Sequence, residues 1–178
     1  GHGDIPTAQA HLNRLVEVSR EADMDIRESI LGLRADLSEL GFFPALVKYL
    51  TRYERTFGIH TQLTKPESFR KVVFEPVVEV QLLRILQEAL TNVRKHASAC
   101  SVQISFKDEG GWVCVTVKDD GQGFDLQAGS VLAEEHVGFG VMRERAEEVG
   151  GSLHLNSTPG QGTEVVVLLD RSLSMRYG

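Results

Sequence analysis

A mostly apolar stripe recurs in steps of three and four through Leu12, Leu15, Ser19, Ala22, Ile26, Ile30, Leu33, Leu37 and Leu40, with Glu17, Arg20, Asp25, Arg27 and Glu28 between them. The spacing predicts one long N-terminal helix with a narrow apolar seam, which suits a partner helix or a dimer mate better than a broad core. Gly41 is placed to stop it. A second helix is predicted from about Pro44, carrying Leu46, Val47, Leu50, Tyr53 and Phe57 on one side, with Gly58 as its terminator. Beyond Gly58 the period falls to two. Ile59, Thr61 and Leu63 share one face of a short strand, Val72-Val73-Phe74 suggests another, and residues 101–106 and 111–118 alternate strongly. Lys107-Asp108-Glu109-Gly110 is expected to join those two as a hairpin loop. A helix is predicted over residues 77–97 and another over 140–149. Two last strands, 153–156 and 164–169, are linked by the turn Thr158-Pro159-Gly160-Gln161-Gly162.

Helices and strands alternate irregularly, with hairpins late in the chain. This predicts an α+β fold: a two-layer α/β sandwich with a mixed, mostly antiparallel sheet covered by helices on one face, preceded by the long N-terminal helix. The expected organisation is a dimerisation and connecting unit over residues 1–58, a catalytic domain over 59–171 and a C-terminal tail over 172–178. With 178 residues and 42% hydrophobic content the chain can bury a core. A formal charge of -6 argues against nonspecific attraction to nucleic acid. No apolar run reaches the ~18 residues that a membrane-spanning helix needs, and the N-terminus does not resemble a secretory signal. Cys100 and Cys114 lack metal-ligand spacing and are expected to be buried free thiols, which fits a reducing cytoplasm.

Chemistry enters with Glu88, Asn92 and Lys95. Their spacing of four and three puts an acid, an amide and a cation along one face of the helix, beside a stripe of Leu82, Leu83, Ile85, Leu86, Ala89, Leu90 and Val93. Such residues suit a hydrated Mg²⁺ and nucleotide phosphates, though a solvated helix face would have the same pattern. Asp119-Asp120-Gly121-Gln122-Gly123 leaves the end of a strand, so a carboxylate is fixed at a sheet edge while glycines admit a ligand; a plain polar turn is the alternative. Gly138-Phe139-Gly140 is expected to open a helix whose free N–H groups face phosphate, behind a polar, lid-like segment 125–136; a plain loop followed by a helix start is the alternative. Gly160-Gln161-Gly162-Thr163 carries a hydroxyl into a strand.

The order of these four boxes resembles the ATP-binding domains shared by sensor histidine kinases, gyrase-type ATPases and their relatives. Within that group "LQEALTNVRKHA", "GFGVMRERAEEVGG" and "GQGTEVVVLL" look like the nitrate-sensor and desaturase-thermosensor class of histidine kinases. Residues 26–59 resemble that class's second dimerisation helix and its lead into the ATP domain. The resemblance implies ATP and Mg²⁺ as ligands. It implies Asn92 as metal ligand, Glu88 as holder of metal-bound water or base, and Lys95 at phosphate oxygens. Asp119 would accept the adenine amine, with Gly121 and Gly123 shaping that pocket. Gly138 and Gly140 would close over the phosphates, and Thr163 would sit near the adenine. His96 is given no catalytic role.

The phosphoacceptor motif of that class is missing here, since His11 lacks the following acid. The chain is therefore expected to begin after the acceptor and to phosphorylate a histidine outside itself, with a response regulator downstream and a homodimer in the full-length protein. Its expected location is the cytoplasm, with membrane attachment of the full protein left open. The rival readings are a gyrase-like or mismatch-repair-like ATPase using Glu88 to activate water, an anti-sigma serine kinase, and a catalytically silent binding module.

Overall fold

The computed structural model describes residues 33–125 and 133–177. The expected helix ahead of residue 33, its seam and His11 lie outside the described residues. The chain divides into two compact units, residues 1–39 and 40–178. In the first, the described part is helical: α1 (Leu33–Leu40) ends before Gly41.

The second unit begins with α2 (Phe42–Phe57), which starts two residues before the expected Pro44. It ends as expected at Gly58, whose left-handed φ of 71° lets its N–H donate to Glu54 O at 2.8 Å. Phe42, Ala45, Leu46, Tyr49, Leu50 and Tyr53 are buried within this unit. Their spacing explains why α2 folds with the sheet rather than standing apart from it. Strand β1 (His60–Thr64) follows, then a 3-10 turn and β2 (Val72–Phe74). Helix α3 (Pro76–Asn92) has Pro76 at its first turn, where a missing N–H costs nothing. It continues into a single π-type turn, Val93–Ala97.

Strands β3 (Ser101–Glu109) and β4 (Trp112–Asp119) pair antiparallel. The hairpin is tighter than expected, because Lys107, Asp108 and Glu109 stay in the ladder opposite Cys114, Val113 and Trp112. Gly110 and Gly111 alone make the turn, with φ of 60° and 90° that two glycines adopt without strain. Helix α4 (Ala133–Glu148), β5 (Ser152–Ser157) and β6 (Thr163–Asp170) complete the main sheet, ordered β1-β3-β4-β6-β5. Only β1 to β3 is parallel. The α+β expectation of a mixed, mostly antiparallel sheet is met. Past it, α5 (Arg171–Ser174) leads to β7 (Met175–Tyr177), which pairs with β2; residues 172–177 are thus folded in, not a tail.

Val102, Ile104 and Phe106 of β3, Val113, Val115 and Val117 of β4, and Val165, Val167 and Leu169 of β6 are all buried. The helix stripe predicted on α3 is buried at every position. The alternation thus gives one covered sheet face, packed on α3 and α4. Neither cysteine is fully buried: Cys114 on the opposite face is half-buried and Cys100, just ahead of β3, is exposed.

Candidate functional site

Strand parity decides where the carboxylate goes. Asp119 continues the series Val113, Val115, Val117, so it points to the covered face and is only 5% exposed. Helical spacing does the same for Asn92, which sits at the margin of the α3 stripe. The two line one partly open cavity, with Ala89, Val93, His96, Val117, Phe124, Phe139, Thr163 and Val165 among its other walls.

Burial raises the pKa of Asp119 above the usual carboxylate range. Backbone N–H groups of Gly121 and Thr163 donate to the carboxylate and pull the other way, and the charge of Asp120 adds to the rise. The Gly121 N–H bond to Oδ1 is 2.8 Å. A side chain at Gly162 would overlap the Asp119 carbonyl oxygen, one at Gly123 the Thr158 carbonyl oxygen, and one at Gly121 the Ala97 carbonyl oxygen. These three glycines are places where backbone lies directly on backbone.

Ser157 ties the two loops together. The Phe124 N–H donates to its Oγ at 2.9 Å, its Oγ donates to Gly162 O at 3.1 Å, and Thr163 Oγ1 lies 3.0 Å from it. Asp120 does not face the cavity. It accepts from the N–H groups of Cys100 and Ser101 and from the Ser101 hydroxyl, at 2.9, 2.9 and 2.8 Å, which holds its pKa below the usual value.

The other end of the site is built from α3 and α4. Glu88 and Asn92 lie one turn apart, and a Cβ at Gly138 would stand 2.7 Å from Glu88 Oε1 and 3.6 Å from Asn92 Nδ2. Asn92 Nδ2 is buried and has no hydrogen-bond partner among the described residues. Gly138 and Gly140 differ from expectation. They do not open a helix but lie inside α4, which begins at Ala133, so their N–H groups are not free helix-end donors. Gly140 has open space around it and does not line the cavity.

Lys95 also departs from the expected face. The π-type turn winds the chain less per residue than an α-helix. This leaves Lys95 exposed, outside the cavity lining, and brings half-buried His96 to the wall. The same turn anchors the loop after β4: Gln122 N–H donates to Ala97 O at 2.8 Å and Gln122 Nε2 to His96 O at 2.7 Å. Sequence reasoning missed the aromatic walls. Phe124 and Phe139, with ring centroids 6.1 Å apart, flank the glycine boxes, and an aromatic beside each glycine pair was the available signal. On α4, Arg145 donates to Gln81 Oε1 at 2.9 Å.

The site thus joins an acceptor, apolar walls and an unsatisfied amide with a neighbouring carboxylate. No group of three or more His, Cys, Asp or Glu that could hold a metal by themselves occurs among the described residues. No helix among them is long and apolar enough to cross a membrane.

Comparison with known proteins agrees. The kinase/phosphatase DegS of Brevibacillus brevis is 30% identical over 164 residues, spanning 92% of this chain and 41% of DegS. A sensor-like histidine kinase of Chloroflexus aurantiacus is 30% identical over 170 residues, 93% of this chain and 28% of that one. The chain spans less than half the length of these relatives. Among solved structures, the histidine kinase domain of the Erythrobacter litoralis EL346 blue-light activated histidine kinase superposes with a TM-score of 0.59 at 22% identity, over 72% of this chain and 60% of that one. Full-length ShkA, solved in complex with AMPPNP, gives 0.60 at 18% identity, over 78% and 30%. These likenesses are of fold. Residues 77–173, more than half of the chain, match the model of one family; the protein belongs to the histidine kinase-, DNA gyrase B- and HSP90-like ATPases.

Proposed function

We propose that the chain is the nucleotide-binding part of a sensor histidine kinase. It binds ATP with Mg²⁺ between α3 and the sheet and delivers the γ-phosphoryl group to a histidine on a helix outside this chain. Relay to a response-regulator aspartate and dimerisation belong to the longer protein. One observation carries the reading: Asn92 and Asp119, contributed by a helix and a strand distant in sequence, face the same cavity.

Asp119 is the acceptor for the exocyclic amine of adenine. Gly121 and Thr163 orient it, and its burial between apolar walls keeps water from competing for that bond. Val93, Val117, Phe124 and Val165 supply flat or branched apolar surface for a base.

Magnesium takes few protein oxygens and keeps several waters. Asn92 and Glu88 fit it, Asn92 by its amide oxygen and Glu88 through water or directly. The orphaned Nδ2 of Asn92 is a donor and favours a bound acceptor such as a phosphate oxygen, because a buried polar group without a partner costs about 1–3 kcal/mol unless a ligand completes it. When bound, the ion neutralises charge that builds on the phosphates. Gly138, packed on Glu88, leaves room at that end only because it lacks a side chain.

Titration calorimetry with Mg²⁺ and a non-hydrolysable ATP analogue tests the reading. Asn92→Ala and Asp119→Ala should each weaken binding by about 1–3 kcal/mol, roughly 5- to 150-fold. Undiminished affinity in both variants would overturn it. A separately supplied helix bearing an acceptor histidine should become phosphorylated in the presence of the wild-type chain.

A further inference from the structure

Nothing in the proposed chemistry uses the buried hydroxyl of Tyr53. It sits on α2, is 3% exposed, and donates to the backbone carbonyl of Leu90 at 2.9 Å. That carbonyl lies two residues before Asn92, where the hydrogen bonding of α3 changes. The Val93 N–H is shared between Ala89 O and Leu90 O, and the π-type turn begins at Val93. Leu90 O is therefore held from two sides at the point where the helix leaves its regular winding. The same stretch of α2 grips the turn again, with the Arg94 guanidinium 5.0 Å from the Phe57 ring centroid and Phe57 5.1 Å from Tyr53. On the far side, Ala97 O and His96 O are held by Gln122.

Asn92 thus lies between two anchors, a tyrosine of α2 and the loop that follows Asp119. A carbonyl held by a buried hydroxyl fixes the backbone on either side of it more firmly than packing alone, since the bond is directional and breaking it would leave a buried acceptor. From this geometry we infer that Tyr53 is a positioning residue for the phosphate end of the nucleotide site: through Leu90 O it fixes the turn from which Asn92 reaches the cavity. The inference rests on the ATP reading given above. It adds that α2, the first element of the compact unit, helps set the metal-binding geometry.

Tyr53→Phe tests it, because phenylalanine keeps the ring and its contacts with Tyr49 and Phe57 and removes the one hydroxyl. Two affinities are compared in wild type and variant by calorimetry: adenosine without metal, and a non-hydrolysable ATP analogue with Mg²⁺. The variant should lose about 3- to 10-fold in the gain that magnesium and phosphates confer, the scale of one hydrogen bond, while adenosine binds within about twofold of wild type. The side-chain amide NMR signal of Asn92 should also shift in the nucleotide-free variant. Equal magnesium-dependent gains in the two proteins would overturn the inference. So would equal losses for both ligands, or failure of the variant to fold, since either would make Tyr53 a residue of general packing. If wild type itself gains nothing from magnesium and phosphates, the ATP reading fails first and takes this one with it.

Discussion

Gly162→Ala tests the closest approach in the site, and Gly160→Ala is its control within the same turn. The two glycines share nearly the same left-handed φ, 77° and 78°. They differ in surroundings. A Cβ at Gly160 meets nothing within 4 Å, whereas at Gly162 it overlaps the Asp119 carbonyl oxygen and stands 2.9 Å from the carbonyl carbon and 3.1 Å from Oδ1. Gly160→Ala should therefore cost only the left-handed backbone penalty of about 1–2 kcal/mol. Gly162→Ala should cost that plus about 1–3 kcal/mol for forcing two backbone segments apart.

The difference matters for function as well as for folding. Separating the turn from Asp119 pulls the Thr163 N–H from the carboxylate, so nucleotide affinity should fall about 3- to 10-fold in Gly162→Ala. It should be unchanged in Gly160→Ala. Urea unfolding followed by circular dichroism, with equal m-values, measures the first quantity, and calorimetry the second. Stabilities of the two variants within about 0.5 kcal/mol of each other would refute the claim that the turn after β5 is pressed against the Asp119 backbone.

Asp119→Asn should separate stability from binding. The folded-state pKa of Asp119 is raised, so its favourable protonation is present below the unfolded value of 3.8 and is lost as pH rises through the folded value. At neutral pH the asparagine variant should unfold at higher denaturant than wild type. That gain should vanish below pH 3.8, while nucleotide binding is lost throughout. Tyr53 has its pKa pushed up to about 12, chiefly by burial, opposed by the Arg94 charge and aided by that of Asp119. Its contribution is fully present below pH 10 and should be lost as pH rises through about 12; Tyr53→Phe should remove that part of the alkaline unfolding profile. Asn92→Leu replaces an amide whose buried Nδ2 lacks a partner with an apolar group of similar size. It should leave thermal stability equal or higher and abolish magnesium-dependent binding; a loss of more than about 2 kcal/mol of stability would show that the amide is satisfied.

Much of the fold was legible because periodicity reports which face of an element is apolar. The stripe on α3, the alternation in β3 and β4 and the glycine after α2 all emerged as expected, and so did the α+β class. The candidate site was legible at its two ends, Asn92 and Asp119, and less so between them. Lys95 was counted on an α-helical face, but Leu90 O is claimed by Tyr53 and Ala97 O by Gln122, and the chain widens into a turn that no local propensity encodes. Gly138 and Gly140 carried the glycine pattern of a helix start. Residues ahead of them nonetheless continue the helix, with Gly138 seated on Glu88.

The sequence by itself determined that Asp119 faces inward, because it falls on the same parity as Val113, Val115 and Val117. It likewise determined that Glu88 and Asn92 share one side of a helix, because four residues make about one turn. Only the tertiary structure decided that these two sides meet across one cavity, that His96 replaces Lys95 at its wall, that Phe124 and Phe139 close it, and that α2 and β7 fold onto the same unit. The reason is one of range. Local spacing fixes the direction of a side chain relative to its own helix or strand. What lies opposite depends on backbone contacts between segments far apart in sequence, such as Gly162 on Asp119 and Gly121 on Ala97.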